Sequence, residues 1–212
     1  MKKLIPILLA VFAFASCEKD PDMGKLDANY LVYTNYDKQA NFKSFQTFYL
    51  ADKILVISDS KEPEYLEGEG AEQILAAYAQ NMKAKGYTEA DSKETADLGI
   101  QVSYIASTYY FTNYSDPEWW WGYPGYWSPG YWGSNWGGGW YYPYAVTYSY
   151  STNSFITEMV NLTAAEGADK KLPIVWSSYL TGFETGSKTI NRKLAVEAVN
   201  QSFTQSPYLT NK

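Results

Sequence analysis

The sequence predicts an α+β fold: one largely antiparallel sheet of about five to six strands, two helices packed on one of its faces, and a long aromatic, glycine-rich insertion. Three observations carry this. Short β-prone stretches with two-residue alternation recur along the chain. Only two segments have helical spacing, too few for a βαβ series. Residues 119–144 hold thirteen aromatics, seven glycines and three prolines without one charge.

The chain starts with a secretory pattern. Lys2 and Lys3 precede an apolar run, Leu4–Phe14, and the small residues Ala15 and Ser16. Eleven apolar residues are too few to span a bilayer, which takes about 20, but suit a signal core of roughly 7–15. Phe14-Ala15-Ser16-Cys17 resembles a bacterial lipobox, in which the cysteine takes a diacylglycerol and the signal is cut before it. Cys17 is the only cysteine, so no intrachain disulfide competes for it. The expected organisation is a signal at 1–16, a lipidated Cys17 with a polar tether over 17–28, one α+β domain over 29–208, and a tail at 209–212. An insertion occupies 109–145 within the domain.

Tyr30–Tyr36 alternates and predicts a strand, Asp37–Asn41 a turn, and Ser44–Leu50 a second strand, with a short third over Lys53–Ile57. Residues 58–70 are charged and carry Pro63, Gly68 and Gly70, which predicts a loop. Over Ala71–Lys85, Ile74, Leu75, Tyr78 and Met82 form a helical stripe. Lys83 and Lys85 suit its negative end, and Gly86 a left-handed cap. Tyr87–Glu94 is a loop. Ala96–Ser107 is a strand with Leu98, Ile100, Val102 and Tyr104 on one face and Gly99, Gln101 and Ser103 on the other, the half-buried alternation of an antiparallel sheet.

Val146–Tyr150 predicts another strand, and Thr152-Asn153 a turn into a strand over Phe155–Thr163. Residues 164–171 form a loop. Pro173–Gly182 is the last strand, with Ile174, Trp176 and Ser178 on one face and Trp176 in the core. Ser187 caps a helix running to about Gln205, with Ile190, Leu194, Val199 and Phe203 on its apolar side, and Pro207 prevents its continuation.

Composition narrows the chemistry. The chain has no histidine, the commonest general base and metal ligand. With Cys17 acylated no thiol remains. No phosphate loop or calcium loop is present in the sequence. The formal charge is −6, and loss of residues 1–16 removes two lysines more, so a phosphate backbone is a poor partner. We therefore expect no catalytic residues, cofactor, metal or nucleic acid.

Several phrases, in order, resemble the bacterial lipoprotein family known as domain of unknown function 4136. These are Val32-Tyr33-Thr34-Asn35-Tyr36-Asp37 followed by residues 40–48, Ala84-Lys85-Gly86-Tyr87 followed by Ala96-Asp97-Leu98, and Val160-Asn161-Leu162 followed by Ile174-Val175-Trp176. The resemblance covers about residues 29–208 and implies an envelope lipoprotein. It brings no reaction and no catalytic residues. Asn161 stands where the family often has an acidic residue, which leaves no carboxylate site to carry over.

The aromatic segment repeats Pro124-Gly125-Tyr126-Trp127 as Pro129-Gly130-Tyr131-Trp132. Pro and Gly forbid a continuous helix, and connections this long are functional or disordered as a rule. Three readings compete. The aromatics form a plug on the open face of the sheet. They form a binding loop for a glycan or an envelope protein, through Trp119, Trp120, Trp121, Tyr126, Trp127, Tyr131, Trp132, Trp136 and Trp140. Or they touch lipid headgroups. The expected function is a non-enzymatic outer-membrane lipoprotein, facing the periplasm or the cell surface, bound to the membrane through lipid on Cys17 and using the aromatic loop for interaction or structure. A glycan-binding lipoprotein is one alternative. A carboxylate-dependent hydrolase of envelope polymers is another.

Overall fold

The computed structural model describes residues 30–58, 60, 62–106, 129–133, 140–146, 151–165 and 170–212. The signal, Cys17, the tether and most of the strand expected at Val146–Tyr150 lie outside the described residues, as does the side chain of Ile190.

The elements are β1 (Leu31–Tyr36), β2 (Thr47–Ile57), β3 (Glu64–Leu66), α1 (Glu69–Ala84), β4 (Thr88–Glu89), β5 (Leu98–Ile105), the single turn α2 (Pro129–Trp132), β6 (Trp140–Tyr141), β7 (Ser154–Asn161), β8 (Leu172–Thr181) and α3 (Lys188–Thr204). The main sheet runs β1-β8-β7-β5-β2-β3. It is α+β and mostly antiparallel, as expected. β2 and β5 run parallel, however, because α1 carries the chain across between them.

The stretches read as two strands, 44–50 and 53–57, are one strand. β2 stays paired with β5 throughout, and the expected break is a register irregularity between Leu50 and Ile54. The loop over 58–70 contains β3, which folds back antiparallel on β2. In β8, Met159 pairs with Trp176 but Val160 pairs with Ile174, so Val175 is an extra residue. Side chains alternate along a strand, so this bulge puts Ile174 and Trp176 on opposite faces. The expectation that they share one fails at that residue.

Both helices cover one face. There Phe48, Ile54, Leu98, Ile100, Val102, Phe155, Met159 and Trp176 meet Ile74, Tyr78, Met82, Val199 and Phe203. Trp176 is fully buried, and its Nε1 donates to Ser206 Oγ at 3.0 Å. Asn81 Nδ2 donates to Asn200 Oδ1 at 2.7 Å and ties the helices together. α1 ends at Gly86, whose φ of 101° lies in the left-handed region. Asn211 Nδ2 donates to the Gly86 carbonyl at 2.7 Å, and Leu209 is fully buried. The last four residues, read as a tail, thus pack onto the end of α1.

Candidate functional site

The opposite face differs from the half-buried surface that alternation predicts. Gln101, Ser103, Glu158 and Ser177 point away from the helices, yet each is almost completely buried. The aromatic segment covers Gln101, Glu158 and Ser177. Ala51, Leu55, Ile156, Val160, Ile174 and Tyr179 form a second apolar cluster with Trp132 and Trp140, and Tyr49, Tyr131, Tyr142 and Tyr144 pack around it.

Local chemistry fixes the cover. Pro129 starts the single turn α2, since proline suits a first helical position. This turn brings Trp132 against Gly99. A Cβ on Gly99 would stand 2.5 Å from Trp132 Cζ3 and 2.6 Å from Cε3, closer than carbon atoms can approach. Tyr131 and Tyr49 meet the same indole edge-on, with centroids at 5.0 and 6.2 Å. Lys93 Nζ stands 3.6 Å above the Tyr131 ring. Burial, then the neighbouring Tyr49, Asp52 and Glu94, raise the Tyr131 hydroxyl pKa well above its usual value. Further along, Trp140 is buried and Trp140-Tyr141 pairs in parallel with Leu172-Pro173.

A polar row runs beneath this layer. Gln101 pairs across the strands with Glu158, Glu158 with Ser177, and Ser177 with Asn35. Every rung is bonded to the segment above. Trp132 Nε1 donates to Gln101 Oε1 at 3.3 Å. The Tyr142 hydroxyl donates to Glu158 Oε1. The Tyr144 hydroxyl donates to Ser177 Oγ at 3.1 Å. Asn35 Nδ2 donates to the Ala145 carbonyl at 2.6 Å. Within the row, Gln101 Nε2 donates to Glu158 Oε2 at 2.7 Å. Buried polar groups have to be bonded, so the row and the cover stabilise each other.

Of the residues proposed for binding, Trp132 and Trp140 therefore sit in a core, and Tyr131 is half-buried beside them. Trp119, Trp120, Trp121, Tyr126, Trp127 and Trp136 lie outside the described residues. Gln101 and Glu158 were not singled out from sequence.

A separate cleft of about 590 Å³ opens at the sheet end where β1 begins and β8 finishes. Ile74, Phe155, Phe183 and Ala195 line its floor, and Glu67, Glu184, Lys188 and Arg192 its rim. Glu67 and Glu184 are exposed. Among the described residues no three Asp, Glu, His or Cys side chains gather as a metal site would need, and no helix is long and apolar enough to cross a membrane.

The family model for the domain of unknown function DUF4136 matches residues 32–208. A DUF4136 family protein from Bacteroides thetaiotaomicron VPI-5482, known from a crystal structure, is 86% identical; the match covers 87% of this chain and 99% of that one, with a TM-score of 0.80. A PelC dodecamer from Paraburkholderia phytofirmans gives 11% identity and a TM-score of 0.39, over 86% of this chain and 99% of that one. Among curated proteins nothing matches.

Proposed function

We propose, for a chain that belongs to the DUF4136 family, the role of a non-enzymatic cell-envelope lipoprotein of the outer membrane, anchored by lipid on Cys17. The observation that carries the anchor is Cys17 itself, a single cysteine directly after a short apolar run and two small residues. Several acyl chains hold a protein at a bilayer where one binds only marginally. The aromatic segment is first a structural cover, on the strength of the four rungs bonded to it. Its remaining tryptophans supply the interaction surface.

Two alternatives stand beside this reading. Glycan binding would show on an array of envelope polysaccharides and would vanish when Trp127 and Trp136 become alanine. A hydrolase would work through Glu67 and Glu184, the carboxylates on the cleft. A glycosidase sets its acid apart from its base by environment, and both of these stand in water, which favours the reading without catalysis.

The deciding experiment is fractionation of cells expressing the natural chain and its Cys17→Ala variant. The natural chain should sediment with the outer membrane and the variant should not. Equal sedimentation of the two rules the anchor out.

A further inference from the structure

We infer that the cleft between α1 and α3 is a binding site for a small organic cation, an ammonium carried on an apolar or aromatic body. At about 590 Å³ the cleft falls within the range of small-molecule sites, roughly 300–1,000 Å³. Such sites are apolar cavities in which a few fixed polar groups orient the ligand. The apolar part here is aromatic. Phe155 and Phe183 are buried in the floor beside Ile74 and Ala195, with ring centroids 5.8 Å apart. Tyr104 also lines the cleft, and its ring centroid is 5.0 Å from that of Phe155. Rings of this kind hold an apolar body and attract a cation to their negative faces.

The fixed polar group is the carboxylate of Glu184. Asn153, on the cleft wall, has a φ of 55°, an uncommon left-handed conformation for a residue other than glycine. Its backbone N–H donates to the Ile105 carbonyl at 2.8 Å, and both ends of its side-chain amide are bonded. Oδ1 accepts from the Tyr104 hydroxyl at 2.6 Å, and Nδ2 donates to Glu184 Oε1 at 2.7 Å. The sheet thus orients this carboxylate through Tyr104 and Asn153. Glu184 Oε2 accepts no hydrogen bond among the described residues.

Charge selects the sign of the ligand. Glu67, Glu184, Lys188 and Arg192 line the cleft. Arg192 is neutralised by Glu69 at 2.9 Å. Among the described residues neither Glu67 nor Glu184 has an ion pair. Two carboxylates therefore stand against one ammonium, that of Lys188, which is exposed at the end of a flexible stem. The balance is negative. An anion would meet both carboxylates and the ring faces, whereas a cation places its charge on the open oxygen of Glu184 and its body on Phe155 and Phe183. Binding of this kind requires neither lipid on Cys17 nor the aromatic cover.

The test titrates the full chain carrying Cys17→Ala with phenylbutylamine, an amine protonated at neutral pH, and follows binding by calorimetry. Saturable binding of one molecule per chain is expected. Phenylbutanol, with the same body and no charge, and phenylbutyrate, with the opposite charge, should each bind at least tenfold more weakly. Glu184→Gln should weaken the amine at least tenfold. Lys188→Ala should not weaken it, because that ammonium repels the ligand. Thr189→Trp, at an exposed position on the cleft, should block it. Absence of saturable binding overturns the proposal, as does an affinity that the alcohol or the carboxylate matches. So does an affinity that Glu184→Gln or Thr189→Trp leaves intact, or one that Lys188→Ala lowers.

Discussion

Gly99 and Trp132 form the tightest contact on the covered face. Replacing Gly99 by alanine forces the indole off the sheet and away from Gln101. Overpacking of this kind costs about 1–3 kcal/mol, and urea unfolding of Gly99→Ala should show a loss of that size. In a Trp132→Ala background the same change should cost much less, because the clashing ring is gone. Equal costs in both backgrounds would mean that Trp132 does not rest on Gly99. Glu158→Ala should be worse tolerated than Glu158→Gln, since it removes an acceptor of the buried Gln101 amide and of the Tyr142 hydroxyl, at about 1–3 kcal/mol. Thermal midpoints of the two variants would rank them. At this scale Trp176 was legible, because a large aromatic among alternating apolar residues belongs to a core. Glu158 and Gln101 were not. Polar residues at alternate positions look the same beneath water as beneath a layer of tyrosine and tryptophan.

At the scale of elements, the strands and both helices were readable from periodicity, and the register was not. The two irregularities, between Leu50 and Ile54 and at Val175, are invisible to alternation because each leaves good alternation on either side. The bulge has a physical purpose. It places Trp176 against Phe203 under the helices, with ring centroids at 5.5 Å, while Ile174 joins the cluster beneath the cover. Deleting Val175 would remove the extra residue and restore regular alternation, leaving Leu172 and Ile174 beneath the cover and Trp176 under the helices. Such a variant should keep cooperative thermal unfolding. A companion deletion of Ser177, where the pairing is regular, would exchange the faces of every residue before it in β8 and should lose cooperativity. If the Val175 deletion lost cooperativity as the Ser177 deletion does, the register described for β7 and β8 would be wrong. The aromatic segment, likewise, was recognisable as an insertion, but its attachment depends on pairing among four strands far apart in sequence.

The molecule as a whole is a sheet buried on both sides, by helices on one and by tyrosines and tryptophans on the other. A chain with 21 tyrosines, several of the described ones buried in this manner, has a characteristic weakness in alkali. Tyr78 is fully buried; its hydroxyl accepts a hydrogen bond from Thr157 Oγ1 at 2.6 Å, and burial pushes its pKa up from 10.0 to about 12. The folded state therefore keeps a proton that the unfolded chain releases above pH 10. The stability tied to this proton is fully present below pH 10 and is lost as pH rises towards 12. Two units correspond to about 2–3 kcal/mol. Burial raises Tyr87 in the same direction, and its hydroxyl donates to the Phe42 carbonyl at 3.1 Å. Tyr131 on the opposite face follows for the same first cause. Urea unfolding at pH 8 and pH 11 should thus show a marked loss of stability at the higher pH. Tyr78→Phe should reduce that loss, even if it lowers stability at pH 8 by removing the bond to Thr157. A Tyr78→Phe variant with an undiminished alkaline loss would show that the proton held at the centre of the helix face contributes nothing, and would move the alkaline weakness to the aromatic cover.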